Sequence, residues 1–269
     1  MTAVWRASLI VTTAAVTGAA LGGCQRSEAA PPPISAVMHV VNSRPIVDAE
    51  VINADGEAHR VRLLVDTTGA GLVFTSGAAK RAKLEVGKRK RRDDGLFSFV
   101  DAKAVRVGKT RLELGGAEPL VAIDTDRDVL EGVDGSIGVD VLQRYGRVTM
   151  NFPTERIVLG EPDSVPVLGA RVPVQFDDGL ITGRVTLGSA THRLRVATGA
   201  VTTHIRERVS IRVTGTRQGV WGKIVLAPFE VVSDPEVRTD GDGLLGANLL
   251  ARYTVRIDFA RETFRISTT

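Results

Sequence analysis

The chain has 269 residues, of which 43% are hydrophobic and 25% are charged, a balance typical of folded globular domains and unlike that of disordered chains. Its 35 basic and 31 acidic residues leave a formal net charge of only +4, and aromatic residues make up just 4%. So small an excess of charge, with so few rings to stack on bases, argues against nucleic-acid binding.

The first 24 residues form a processing segment. Arg6 precedes an apolar stretch that closes with the sequence LGGC, ending at Cys24. A transmembrane helix requires roughly 20 strongly apolar residues, and this stretch is shorter and less apolar. The closing sequence resembles the lipobox of bacterial lipoproteins, which implies attachment of lipid to the thiol of Cys24. A plain secretory signal with an incidental cysteine is the alternative.

The residues around Cys24 fit a lipid-anchored protein of the bacterial cell envelope. Cys24 is the only cysteine of the chain, so it cannot form an internal disulfide. Each lipid methylene contributes about 0.8 kcal/mol to membrane attachment. Residues 25–34 are polar and rich in proline, as expected of a tether. Because Gln25, and not the aspartate of inner-membrane lipoproteins, follows the cysteine, the outer membrane is slightly favoured, with the protein facing the periplasm.

From Ile34 onward, short β-branched runs alternate with glycine-rich and Asp-Gly turns. This pattern predicts an all-β, mainly antiparallel fold. Helical periodicity is confined to short pieces, the sequence SGAAKRAKLEV at 76–86 and GVDVLQRYG at 138–146. We therefore expect many short strands with a few short helices.

Two sequence patterns occur twice, in the same order, in the two halves of the chain. Residues 134–145 and 242–253 share Asp-Gly, two residues, Gly, a short apolar segment and Arg-Tyr, and each is followed by a predicted hairpin. Earlier in each half, HRVRLLVDTTGAG beginning at His59 matches HRLRVATGAVTTHI beginning at His192. The chain is therefore predicted to contain a duplicated lobe, with limits at about 35–160 and 161–269.

Each predicted lobe resembles the lobe of an aspartic peptidase of the retropepsin and pepsin type. In the first half, an apolar strand ends in Asp66-Thr67, a turn of small residues and LVFTSGAAKRAKL follow, and Ile137-Gly138 precedes a short helix and a hairpin. The second half carries Leu245-Gly246 at the corresponding place. The resemblance covers nearly all of the predicted mature chain and implies a bilobal pair of β barrels around a cleft.

The resemblance also implies a chemistry. In the family, one aspartate from each lobe meets its counterpart at the floor of the cleft, and the two carboxyl groups share a proton. One then activates a water molecule while the other polarises the peptide carbonyl. The threonine beside each aspartate binds across the lobe interface, and the apolar-Gly segments (Ile137-Gly138 and Leu245-Gly246) cross behind the two turns and support the cleft. Asp66 and Thr67 match the first aspartate and its threonine.

The chain departs from the family pattern at two positions. An alignment without gaps places Thr68 where the family has glycine, and an insertion before Gly69 is the alternative. A β-branched residue there requires a backbone that avoids positive φ. In the second lobe, Thr198 and Gly199 are in place, but Ala197 stands at the carboxylate position. Loss of one partner of a general acid-base pair costs about 10²- to 10⁴-fold in rate.

Three hypotheses about function follow. The first is an envelope lipoprotein with an impaired active site that at most binds an extended peptide between the lobes. The second is an active aspartic-type endopeptidase that uses Asp66, through exchange of lobes between chains or a carboxylate from elsewhere. The third is a structural envelope domain in which Asp66 only accepts hydrogen bonds from its own turn.

Other features of the sequence point to no cofactor. The four histidines have no ligand-like spacing, so no metal site is expected, and no phosphate-binding loop is present. We expect a monomer. The basic run Lys88–Arg92 falls where the family carries its flap or a nearby hairpin, and a solvated loop is favoured over contact with acidic lipid or peptide. Trp221 is expected on a second flap, in the core or on a hairpin face.

Overall fold

The structure is a computed structural model in which residues 30–92, 95–114, 118–122, 132–166, 168–207, 213–235, 237 and 239–268 are described. The predicted processing segment with Cys24, and the tether up to residue 29, lie outside these residues. Among the described residues, no helix has the length and apolar character of a membrane-spanning helix.

The first half of the chain is built almost entirely of short strands. Its elements are β1 (Ile34–Val41), β2 (Arg44–Asn53), β3 (Ala58–Val65), β4 (Leu72–Thr75), α1 (Ser76–Arg81), β5 (Glu85–Arg92), β6 (Gly95–Val107), β7 (Thr110–Arg111), β8 (Leu120–Ala122), β9 (Gly135–Ile137), α2 (Val139–Arg144), β10 (Arg147–Asn151) and β11 (Arg156–Leu159). Both helices fall where the sequence predicted them.

The second half repeats this plan with shorter strands. Its elements are β12 (Ala170–Val172), β13 (Val174–Asp177), β14 (Leu180–Leu187), β15 (Ala190–Ala197), β16 (Thr203–Ile205), β17 (Gly215–Arg217), β18 (Gly219–Trp221), β19 (Ile224–Val225), β20 (Phe229–Ser233), β21 (Gly243–Gly246), α3 (Ala247–Leu250), β22 (Thr254–Asp258) and β23 (Thr263–Ser267). The lobe limits at 35–160 and 161–269 stay a prediction.

The strands form one barrel-like sheet in each half. In the first, the order β2-β3-β9-β4-β8-β6 closes on itself because β6 also pairs with β2. In the second, the order is β17-β20-β16-β21-β15-β14-β18. Most pairs are antiparallel, and the parallel ones recur in both halves, β3 with β9 and β15 with β21. The predicted all-β, bilobal, aspartic-peptidase-like fold class is confirmed.

A central sheet joins the two halves. The hairpin β10–β11 of the first half pairs with the hairpin β22–β23 of the second through an antiparallel β10–β22 contact. The outer strands are β1, which pairs with β11, and β12, which pairs with β23. The sheet therefore has matching elements on both sides of the β10–β22 contact, as a duplicated lobe requires.

The interior of each barrel is apolar, and Trp221 belongs to it. Trp221 in β18 has no solvent exposure, and its indole Nε1 donates a hydrogen bond of 3.0 Å to the carbonyl of Pro173. Its ring packs against Phe264 with centroids 5.2 Å apart. Of the three positions considered for Trp221, the structure shows the core.

Buried ion pairs fix the connection between the halves to the central sheet. The guanidinium of Arg147 donates to Asp258, its partner on β22, at 3.0 and 3.1 Å. Arg256 lies 2.9 Å from the carboxylate of Glu161 in the connection. Arg147, Arg256 and Asp258 are all less than 10% exposed. Removal of one partner of such a pair destabilises the protein strongly, because the other charge stays buried without a partner.

Arg147 and Arg261 lower the pKa of two carboxyl groups. Hydrogen bonds from Arg261 and Arg147 lower the pKa of Asp163, in the connection, to about 2. Burial raises the pKa of Asp258, but hydrogen bonds from Arg261 and Arg147 outweigh it and hold that pKa below its usual value. Both groups therefore stay ionised well into the acid range.

Candidate active site

Asp66 stands at the end of β3, where the strand gives way to a turn. The backbone N–H of Asp66 donates to the carbonyl of Ile137 at 2.9 Å, which extends the parallel pairing of β3 with β9 by one residue. On its other edge, β9 pairs antiparallel with β4, the strand that follows the turn. The predicted support segment Ile137-Gly138 therefore holds both ends of the loop that carries Asp66.

Glycine allows this close packing in both halves. A Cβ atom at Gly138 would lie 2.6 Å from the backbone of Ala70, and one at Gly246 would lie 2.3 Å from the backbone of Thr202. Real Cβ atoms do not approach backbone atoms so closely. The glycines of the two apolar-Gly segments thus have the structural role that the sequence predicted for them.

The turns of the two halves correspond without a gap. Phe74 pairs with Gly135 in β9, and Ile205 pairs with Gly243 at the same place in β21. Phe74 follows Asp66 by eight residues, and Ile205 follows Ala197 by eight residues. Asp66 therefore corresponds to Ala197, and Thr68 corresponds to Gly199. An insertion before Gly69 is not needed to relate the two turns.

The earlier alignment of His59 with His192 needs a correction. The backbone N–H of Arg62 donates to Asp134 at 2.9 Å, and that of Arg193 donates to Asp242 at 2.8 Å. Because Asp134 and Asp242 occupy the same place in the repeat, Arg62 matches Arg193, and the histidines are offset by two residues. A shift by two preserves which face of a strand each side chain occupies, so the pattern alone did not reveal it.

The two turns are joined by reciprocal threonine hydrogen bonds. The hydroxyl of Thr67 donates to the carbonyl of Val196 at 2.8 Å, and that of Thr198 donates to the carbonyl of Val65 at 2.6 Å. Each hydroxyl also accepts the backbone N–H of the other threonine, at 3.2 and 3.0 Å respectively. Both residues have no solvent exposure. The turns are thereby held in register across the lobe interface.

The carboxylate of Asp66 is buried, with 6% of the residue exposed. Its Oδ1 accepts two hydrogen bonds from Thr68, one from the backbone N–H at 2.9 Å and one from the hydroxyl at 2.7 Å. Its Oδ2 accepts none from the described residues, and no cation of the described chain forms an ion pair with Asp66. Thr68 is not among the residues with positive φ. The backbone at Thr68 therefore avoids positive φ, as a β-branched residue at this position requires.

Across the interface, the position of the second lobe that corresponds to Asp66 carries no carboxylate. Ala197 is 1% exposed and ends β15 where Asp66 follows β3. Gly199 lies directly against Asp66, since a Cβ atom there would be 2.8 Å from the Asp66 Cγ and 2.9 Å from each carboxylate oxygen. Asp66 therefore packs against the bare backbone of Gly199 and meets no second acid there.

The correspondence of the turns explains why two departures from the family pattern occur together. Thr68 occupies in the first turn the place that Gly199 occupies in the second. Because a Cβ atom at Gly199 would collide with the carboxylate of Asp66, the Cβ of Thr68 would collide with a carboxylate at position 197. The methyl of Ala197 removes this conflict. The sequence showed both departures, but only the contact across the lobes connects them.

The basic run lies in a strand of the predicted hairpin, so the expected solvated loop is wrong in its secondary structure. Lys88–Arg92 belongs to β5, which pairs with β6 and forms one end of the sheet order. Lys88 and Arg89 are exposed, whereas Asp93 and Asp94 lie outside the described residues. The outer edge of β5 has no strand partner in the described part of the chain.

Comparison with solved structures agrees with this architecture. The crystal structure of the aspartic proteinase from Irpex lacteus superposes with a TM-score of 0.58 at 15% identity, covering 88% of this chain and 98% of that one. The chain has the fold of the aspartic proteinases. Basic 7S globulin from soybean gives a TM-score of 0.53 at 11% identity, covering 89% of this chain and 95% of that one. No family model and no curated protein matches the sequence.

Proposed function

We propose that this protein is a lipid-anchored envelope protein that binds an extended peptide between its lobes and hydrolyses it poorly or not at all. The observation that carries this proposal is the contact of Asp66 with the bare backbone of Gly199, together with alanine at position 197, which corresponds to Asp66 in the other turn. The fold supports binding of a peptide between the lobes, and alanine at position 197 leaves out one of the two carboxyl groups that hydrolysis uses.

The hydroxyl of Thr68 does not replace the missing acid. Peptide hydrolysis by paired carboxyl groups needs one group to accept a proton from water and another to donate one to the substrate. The Thr68 hydroxyl donates to Asp66, but an alcohol is far too weak an acid to protonate a leaving amine. Hydrolysis is therefore expected to fall by about 10²- to 10⁴-fold relative to a complete pair.

Binding of a peptide does not need the second carboxyl group. Extended peptides bind through backbone hydrogen bonds to the free edge of a strand. The unpaired outer edge of β5, beside the exposed Lys88 and Arg89, offers such donors and acceptors among the described residues. The lipid attachment rests on Cys24 at the end of the apolar N-terminal segment, followed by the proline-rich tether.

The catalytic part is tested by restoring the missing group. Because the Cβ of Thr68 would collide with an aspartate at position 197, two changes are needed at once, and four proteins are compared: the parent, Ala197→Asp, Thr68→Gly and the double variant. Cleavage of an unfolded protein is measured from acid to neutral pH. We expect little cleavage from the parent and the single variants, and a gain of about 10²-fold or more in the double variant.

The control is Asp66→Asn, placed in the parent and in the double variant. It should abolish the cleavage gained by the double variant. Efficient cleavage by the parent that Asp66→Asn abolishes would instead favour the active endopeptidase, and absence of peptide binding would favour the structural domain. Lipid attachment is tested by Cys24→Ser, which should move the protein from the membrane to the soluble fraction.

A further inference from the structure

The free oxygen of Asp66 is the strongest unassigned feature of the site. Oδ1 is occupied by the two donors of Thr68, whereas Oδ2 accepts no hydrogen bond from the described residues. Oδ2 is also not fully enclosed. It accepts no hydrogen bond from the described residues, and it is not among their side-chain atoms that are both fully enclosed and without a hydrogen-bond partner. A residue that is 94% buried therefore presents one accessible carboxylate oxygen to which none of the described residues donates.

The surroundings keep this oxygen open. A Cβ atom at either Gly69 or Gly199 would lie 2.9 Å from Oδ2, so the glycines leave it unobstructed on both sides. Ala197 stands at the corresponding position of the other turn, so that position supplies no second carboxyl group. A carboxylate that is largely removed from water and has no cationic partner is costly to the protein, and a bound cation offsets that cost.

We propose that Asp66 Oδ2 receives a primary ammonium group of the bound ligand, such as a lysine side chain or the amino terminus of a peptide. The proposal rests on the peptide-binding function above and specifies its ligand class. A cationic ligand at Asp66 forms a charge-assisted hydrogen bond in a buried setting, which is among the stronger single contacts in proteins.

Two other cations fit the site less well. A divalent metal ion needs several oxygen ligands, and no group of three or more potential metal ligands is found among the described residues. A guanidinium binds a carboxylate best through both oxygens at once, and Oδ1 is already taken by Thr68. A compact ammonium donates one of its three N–H groups to the one remaining oxygen and does not require both oxygens of the carboxylate.

The test uses the full chain and three matched peptides. The first is blocked at both ends and carries one central lysine, the second replaces that lysine by norleucine, and the third is the norleucine peptide with a free amino terminus. Binding is measured by calorimetry to the parent, to Asp66→Asn and to Asp48→Asn. Asp48 is exposed and pairs with His39, so Asp48→Asn removes the same charge from the same lobe away from the site.

One or both ammonium peptides should bind the parent and Asp48→Asn at least about 10-fold more tightly than the blocked norleucine peptide. Asp66→Asn should remove this preference. Preference for the lysine peptide identifies a side chain as the source of the ammonium, and preference for the unblocked peptide identifies the amino terminus. Equal binding of all three peptides to the parent would overturn the ammonium site and leave peptide binding intact.

A small cation separates the two proposals completely. Butylammonium is titrated into the parent and into Asp66→Asn, and the NMR signals of the Gly69 and Gly199 amides are followed. Shifts in the parent alone support the ammonium site even where no peptide binds, in which case the peptide-binding function fails by itself. Absence of shifts together with equal binding, or no binding, of the peptides overturns the ammonium site.

Discussion

The turns at Asp66 and Ala197 have the same length, the same strand pairings and the same threonine exchange, yet they differ in chemistry. Thr67 and Thr198 hold the two turns together by hydrogen bonds that are nearly the same from either side. The differences that touch the carboxylate of Asp66 fall at the carboxylate position and at the position two residues later. The comparison shows that the residues that hold the two turns together are separable from the residue that carries the carboxylate.

A second difference between the halves lies in the central sheet. In the β10–β22 pair, Arg147 lies opposite Asp258 at one end, and Asn151 lies opposite Thr254 at the other end, which is equivalent in the repeat. The charged end contacts the connection between the halves through the hydrogen bond from Arg147 to the backbone carbonyl of Glu161. The duplicated lobes thus share a backbone plan and diverge where buried charges are placed.

The largest expected effect comes from the glycines that the two halves have in common. A Cβ atom at Gly135 would lie 2.2 Å from the carbonyl oxygen of Val73, and one at Gly243 would lie 2.0 Å from that of His204. Gly135→Ala and Gly243→Ala should each destabilise the protein by at least about 4 kcal/mol, or prevent folding, because a backbone strand must move. Urea unfolding measures the loss.

The control for these variants is Gly77→Ala in α1. The nearest atom there is the flexible end of Arg81 at 3.5 Å, and alanine favours helix, so the change should be neutral or slightly stabilising. Tolerance of alanine at Gly243 but not at Gly135 would show that the two crossings are not equivalent.

The next effect concerns the charged end of the central sheet. Asp258→Asn leaves Arg147 buried without its full counter-charge and should cost about 3 kcal/mol in urea unfolding. Asn151→Ala at the equivalent end removes one exposed hydrogen bond, to the N–H of Thr154, and should cost less than about 1 kcal/mol. Equal losses would mean that the charges add nothing to this contact.

The threonine exchange should give a smaller and non-additive effect. Thr67→Val and Thr198→Val keep the shape of the side chain but leave a buried carbonyl without its donor, so each should cost about 2 kcal/mol. The double variant should lose less than the sum, because the two hydroxyls belong to one network. Thr186→Val, at an exposed hydroxyl pair, serves as the control. Strict additivity would argue against a shared network.

The smallest effect is a dependence on acid. Asp163 has a pKa of about 2 in the folded protein against an ordinary value of 3.8, so its contribution is fully present above pH 4 and is lost as the pH falls toward 2. Asp163→Asn should therefore lower the thermal midpoint slightly at pH 7 and flatten its decline between pH 4 and 2, so that parent and variant converge near pH 2. An unchanged slope would contradict this role.

The sequence predicted the strands and two of the helices because their signals are local. The periodicity at 76–86 and 138–146 marked α1 and α2, and alternating β-branched runs marked most strands. The offset of His59 from His192 was missed because a shift of two residues leaves a strand's pattern unchanged. The position of Trp221 was left open because an aromatic in a short β run suits a core and a hairpin equally well.

The sequence by itself determined the duplication, the place of Asp66 and the absence of a second carboxyl group at Ala197, because each is a motif of a few adjacent residues. Only the tertiary structure decided that Thr68 stands where the other turn has Gly199, and that no described residue donates a hydrogen bond to the Oδ2 of Asp66. Those relations depend on distances between two lobes. The distances are set by the threonine exchange and the β10–β22 contact, which join residues more than 100 positions apart.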